Sequence, residues 1–184
     1  MPSATLRIRS SGAAFKLRPG ESITFVLPVT PRTKKNSRRH IKRRSKSTGK
    51  TITVPLPSEY YETMEAGIIS FARSLAGYVF YQPRPYLLAG LRLAQPLNCA
   101  AIFYREKNIG DANGYYQGLA DALEAAGIVA NDKWIVQWDG SRLAKDAKRP
   151  RIEVTLRALT QDELDRVPEP VVSVCPECGR CDGA

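Results

Sequence analysis

The residues best suited to chemistry lie between Asp111 and Asp132, in the stretch DANGYYQGLADALEAAGIVAND. Asp111 stands at the mouth of a predicted helix, Asp121-Ala122-Leu123 lie on that helix, and beyond Gly127 a short apolar run leads to Asn131-Asp132. Two acids at the two ends of one helix-turn-strand unit could fold back toward a common divalent ion. Hydrolysis of a phosphodiester needs an activated water and neutralised phosphoryl oxygens, and an ion held by acidic side chains supplies both. Asn113, Gln117 and Asp121 recur at fourfold spacing and therefore share one helix face. Each acid also has a plainer role open to it. Asp111 would serve as a helix cap and Asp132 as a turn residue, while Asp121 is read as a helix-surface or packing acid. Gly114 and Gly118 would admit a close neighbour, either another helix or DNA.

The second chemical signal is charge. Residues 31–50 (PRTKKNSRRHIKRRSKSTGK) carry ten Lys and Arg and no acid, which accounts for the whole net charge of +10 in a chain of 184 residues. Charge concentrated in this way favours a specific polyanion contact over general solubility. A membrane surface is the competing partner, but nothing near the run supplies an apolar helical face or a lipid anchor. Phosphate contacts by these side chains would give sequence-independent affinity that falls steeply with salt; the alternative is a solvated run. His40, the only histidine, lies inside the run and is read as a phosphate or solvent contact rather than a general base.

The elements that must position these groups follow from periodicity. Ile23, Phe25 and Leu27 alternate with Thr24, Val26 and Pro28, which predicts a strand ending near Pro28. The basic segment follows as a long loop, with Thr51 to Val54 as a short return strand that makes residues 28–52 a long, mobile hairpin-like excursion. Ser58 caps a helix whose core stripe is Tyr61, Met64, Ile68, Phe71 and Leu75. Residues 77–96 read as turn-rich connection. Leu97 to Tyr104 is apolar on both faces, as in a strand covered on both sides, and Cys99 within it reads as a small buried hydrophobe. A second helix over 111–126 carries the stripe Tyr115, Leu119, Ala122, Leu123 and Ala126 and stops at Gly127. Trp134–Trp138 and Arg151–Arg157 read as two further strands, and a short helical segment falls near 160–167. A weak hairpin is expected over residues 4–17.

The apolar fraction of 43% is enough for a real core. The N-terminus lacks the apolar segment of a signal peptide, and no run approaches the ~18 apolar residues of a membrane span. Three of the four cysteines crowd the end of the chain, which is no disulfide framework. A cytoplasmic protein with reduced thiols is expected. Cys175-Pro-Glu-Cys178, followed by Cys181, has the spacing of a zinc knuckle. Structural zinc wants four ligands, so the fourth would be Asp182, a water or another chain; a flexible thiol-bearing tail is the alternative.

These motifs together resemble the RusA-like Holliday-junction resolvases, endodeoxyribonucleases common in phages and prophages. That family's signature is D-x-D-N-L-x-K-x-x-x-D-A-L, with a pair of aspartates roughly ten residues later. Asp111 matches its first aspartate, Asp121-Ala122-Leu123 the DAL, Gly127-Ile128-Val129 the segment before the pair, and Asp132 the second member of the pair. Leu27 to Arg39 resembles the family's first strand and basic turn, and Lys148-Arg149-Pro150-Arg151 its approach to a closing strand. The likeness spans about residues 22–158. Asn113 stands where the family has its second aspartate, Gly114 replaces the asparagine, Gln117 the lysine, and Asn131 the first acid of the pair.

The resemblance implies Asp111 and Asp132 as catalytic carboxylates, with Asp111, Asn113 and Asp132 holding Mg²⁺ or Mn²⁺. An amide at position 113 brings no charge and weakens the ion's hold; without a lysine at 117, one cation that would stabilise the transition state is missing. DNA contacts are assigned to Lys34, Lys35, Asn36, Arg38, Arg39, Lys42, Arg43, Arg44 and Gln117. The expected protein is a single α+β domain with a small mixed β-sheet and two main helices. It comprises an N-terminal extension (1–21), the nuclease domain (22–158) with its basic loop (31–50), and a short helix and Cys-containing tail (159–184). The expected function is Mg²⁺-dependent cleavage of branched DNA such as four-way junctions, in recombination and repair, by a two-fold homodimer. The alternatives are a catalytically weakened or inactive DNA-binding protein of the same fold, and an RNA-binding module supported by the basic run alone.

Overall fold

The alternation around Phe25 does form a strand. In the computed structural model β1 (Ser22–Leu27) buries Ile23, Phe25 and Leu27 and exposes Ser22, Thr24 and Val26. The structure describes residues 15–33, 39–47, 49–74, 77–81, 84–107 and 110–166. Most of the hairpin expected over 4–17 lies outside these residues, as do Leu75, Lys34, Lys35, Asn36, Arg38 and the tail with Cys175, Cys178 and Cys181. Leu17 is described: it is buried, and its backbone exchanges two hydrogen bonds with the Gln95 side chain, at 3.2 and 3.0 Å. Among the described residues no helix is long and apolar enough to cross a membrane.

After β1 come β2 (Arg39–Arg44), β3 (Thr51–Leu56), α1 (Glu59–Arg73), β4 (Tyr78–Tyr81), β5 (Arg84–Leu87) and β6 (Leu97–Arg105). Then follow α2 (Ala112–Ala125), β7 (Ile135–Gln137), β8 (Arg142–Lys145), β9 (Arg151–Ala158) and α3 (Gln161–Asp165). A five-stranded mixed sheet carries the fold in the order β1-β9-β6-β7, with β8 also on β6. Antiparallel pairing sets Phe25 against Val154 and Cys99 against Leu156, so the buried sets of β1, β9 and β6 fall on one face. β7 and β8 both run parallel to β6, one along its start and the other along its end. Between them the side chains of Asn98 and Ser141 replace strand pairing: Asn98 bonds both backbone groups of Asp139, and Ser141 Oγ links Ala101 N to Cys99 O.

The helices cover the buried face. Ser58 Oγ accepts from Tyr61 N and starts α1, whose Tyr61, Met64, Ile68 and Ala72 enter the core. Phe71 is only half-buried, and Ala72 takes the inward place expected of it. The α2 stripe is buried as the periodicity predicts, and Gly127, at φ +74°, ends the helix where a Cβ would lie 2.9 Å from Ala89 O. The two helices meet where the Tyr61 hydroxyl donates toward Gly118 O and Glu65 Oε1, each 3.2 Å away. Burial pushes the Tyr61 phenol far above its usual range, and the nearby charges of Glu65 and Asp121 add to this. The same burial raises the Cys99 thiol, so Cys99 is the packing residue expected.

Four expectations need correction. The basic segment is not all loop: β2 lies inside it and pairs with β3, whose TITVPL carries no cation, so each β2 cation faces an uncharged partner. Residues 77–96 hold the β4–β5 hairpin, in which Pro85 opposes Phe80; a free-standing two-stranded pair tolerates a proline. The strand near Trp134 is shorter, because Asp132–Trp134 form a 3₁₀ turn, and β8 is an additional strand. Finally, β6 is fully covered only on the helix side. Leu97, Cys99, Ala101 and Phe103 are buried there, while Ala100, Ile102 and Tyr104 on the other face are half-covered.

On that other face α3 docks through Arg157, whose two Nη atoms each lie 2.7 Å from Glu163, while Thr160 N donates to the same carboxylate at 2.9 Å. Arg157 first, and the Thr160 amide second, lower the Glu163 pKa from 4.5 to about 2. A depressed carboxylate pKa contributes stability that is complete above pH 4.5 and is lost as pH falls through about 2. Glu163→Gln should therefore lower the melting temperature at pH 7 and flatten its fall between pH 4.5 and pH 2, read by thermal melts across that window.

Candidate nucleic-acid interface

Three segments converge at the C-terminal end of β6. Beyond β1, the chain runs along α1. Val29 packs so closely on Gly67 that a Cβ there would lie 2.9 Å from Val29 Cγ1, and Arg32 N lies 3.2 Å from Met64 Sδ. Thr33 then seats on the start of α2: a Cβ at Gly110 would come within 2.9 Å of Thr33 Cγ2, and one at Gly114 within 3.2 Å. Gly114 is thus reserved for Thr33 and for Asp111, whose Oδ1 accepts from Gly114 N as the helix cap. This packing fixes where the basic segment starts, beside Asp111 at the N-terminus of α2.

The convergence leaves a cleft of about 220 Å³. Its walls include Thr30, Arg32 and Thr33, the α1 start at Ser58 and Tyr60, the β6 end at Arg105, Glu106 and Lys107, and Tyr115 of α2. The Arg32 guanidinium lies 5.2 Å from the Tyr60 ring centre and 3.3 Å from Glu106, and that of Arg105 lies 5.6 Å from the Tyr115 ring. Three cations against one acid make the walls net positive. Arg32, Arg105, Lys107 and Tyr60 did not stand out in the sequence. Arg32 was counted only as one of the ten cations of the basic run.

The remaining expected residues divide between two places. Asp111, Asn113 and Gln117 are exposed on α2, while Asp121 is half-buried with its charge near the Tyr61 hydroxyl, which supports its packing role. His40, Lys42 and Arg44 alternate along β2 and are all exposed, and Arg44 Nε donates to Gly49 O at 3.0 Å. Arg39 and Arg43 belong to the same strand. Asp132 starts the 3₁₀ turn beyond α2, where Glu124 holds it: one Glu124 oxygen accepts from Asp132 N at 2.9 Å and the other from Asn131 Nδ2 at 3.1 Å. Glu124 is a positioning residue that the sequence reading missed.

Asp111 and Asp132 do not come together in one chain. Asp111 caps the N-terminus of α2 and Asp132 is tied to its last turn, about 20 Å along the axis at ~1.5 Å per residue. Strand register agrees, since β7 begins opposite Leu97 at the start of β6, whereas Asp111 follows its end. Two ligands of one Mg²⁺ or Mn²⁺ lie within about 5 Å of each other, so this pair does not fit a shared ion within a chain. The two acids stay apart because the length of α2 lies between them. Among the described residues, no three His, Cys, Asp or Glu side chains form a group that could hold a metal. In comparison with known proteins, the chain matches no family model and no curated protein.

Gly114→Val would place branched carbons where Thr33 sits. It should cost about 2 kcal/mol, lowering the melting temperature by roughly 4–8 °C. Gly114→Ala, which asks Thr33 to yield by a few tenths of an ångström, should cost much less. Equal melts for the Val variant and the parent would show that Thr33 is not seated there.

Proposed function

We propose that this chain is a structure-specific DNA endonuclease of the RusA-like kind, binding branched DNA and acting as a two-fold dimer. The observation that carries this reading is the junction of the basic segment, the cationic cleft and Asp111 at one end of α2. Phosphates would lie against Arg32, Arg105 and Lys107 and along the exposed cations of β2. Lys34, Lys35, Asn36 and Arg38 lie between Thr33 and β2 in the sequence.

The separation of Asp111 from Asp132 gives the dimer a specific part in this reading. A two-fold axis that sets two α2 helices antiparallel would bring Asp111 of each copy near Asp132 of the other, forming two equivalent centres for the two cuts that a four-way junction requires. Asn113, Gln117 and the same separation favour a second reading, a junction-binding protein that does not cut.

One set of assays separates these. A labelled four-way junction is incubated with Mg²⁺ or Mn²⁺ and the parent, with Asp111→Asn, with Asp132→Asn, and with the two variants mixed as dissociated chains. The single variants should bind and fail to nick. The mixture should regain roughly a quarter of the parent's active centres, because half the dimers are mixed and each then holds one intact centre. A mixture as inactive as its components would rule out shared centres. A parent that binds junctions and never cuts would leave the non-catalytic reading.

A further inference from the structure

We infer that the cleft beside Tyr60 holds a single unstacked nucleotide, its base stacked on the Tyr60 ring and its phosphate held by Lys107. The inference rests on the DNA-binding reading and adds what part of the DNA is recognised. Tyr60 is 68% exposed, against 43–47% for Val26, Ile52 and Val136. Packing does not explain it: α1 turns Tyr61, Met64 and Ile68 inward and leaves Tyr60 on the rim. The Arg32 guanidinium lies over this ring, making an aromatic-cationic platform of the kind that accepts nucleobases.

Size and charge narrow the occupant. A cleft of about 220 Å³ is smaller than the ~300–1,000 Å³ of a drug-sized site, so it admits one ring-sized group and not a run of bases. Glu106, the one acid in the wall, is engaged by Arg32 at 3.3 Å, and the exposed Lys107 beside it favours an anion. Arg32 and Thr33 of the basic segment stand in this wall, so DNA drawn to that segment would lie beside the cleft. Bases inside a duplex have both faces covered by their neighbours. A base at a branch point, an end or a single-stranded gap has a free face, and Tyr60 would select for that free face.

The test is the affinity of labelled oligothymidine and of a blunt duplex of equal length, measured by fluorescence anisotropy over a range of salt. Parent, Tyr60→Ala, Tyr60→Phe and Lys107→Gln are compared. Tyr60→Ala should weaken oligothymidine binding roughly 5- to 150-fold, the range for one lost base–aromatic stack, with an unchanged salt slope and little change on duplex. Tyr60→Phe should bind as the parent does. Lys107→Gln should instead flatten the single-strand salt slope by about 0.7. Tyr60 lies on the surface, so a failure to fold does not confuse the result. Equal affinity of Tyr60→Ala and parent for oligothymidine, or an equal loss on both DNAs, would overturn the inference and leave DNA binding intact. A parent that binds neither DNA would overturn the DNA-binding reading, and this inference with it.

Discussion

The seat of Thr33 on Gly110 and Gly114 is the contact on which the functional surface depends. Without a Cβ at either glycine, the segment leaving β1 can lie against the start of α2, and the same missing Cβ at Gly114 leaves room for the Asp111 cap. Moving Thr33 would release the basic segment from α2 and open the cleft wall formed by Thr30–Thr33. Val29 on Gly67 and Arg32 on Met64 extend the anchor along α1, so one short stretch of chain ties both helices to the point where the cations begin.

The mixed sheet gives this end of the molecule its reach. β6 delivers Arg105, Glu106 and Lys107 to one edge, and α2 carries the chain back to the opposite edge, where Glu124 fixes Asn131 and Asp132. A parallel return to β6 through β7 requires that traverse, since parallel neighbours need a crossover that starts again from the same end. The distance between the two aspartates is therefore a property of the topology and not of side-chain rotamers. A reaction that needs both acids at one phosphate then needs two molecules.

Much of the framework was legible because its signals are local. Ile23-Phe25-Leu27, the caps at Ser58 and Asp111, the α2 stripe and the stop at Gly127 each follow from period or capping chemistry, and each stands as read. β2 was hidden because RHIKRR shows charge where a strand normally shows alternation, and β5 because Pro83 and Pro85 read as breakers. The site was less legible. Arg32, Tyr60, Arg105 and Lys107 lie up to 75 residues apart in sequence and meet only through the packing of β1's exit, α1 and β6. Fourfold spacing on α2 correctly put Asn113 and Gln117 on one exposed face, but spacing carries no information about whether the chain beyond Gly127 turns back.

Hydrogen–deuterium exchange of the full chain with and without a synthetic four-way junction tests the central claim, that DNA sits where the basic segment meets the start of α2. The account predicts slowed exchange at residues 30–33, 39–44, 105–107 and 110–115 on adding the junction, with β1 and β9 unchanged. Protection confined to β1, β9 and α3, with none at 30–33 or 105–115, would contradict it.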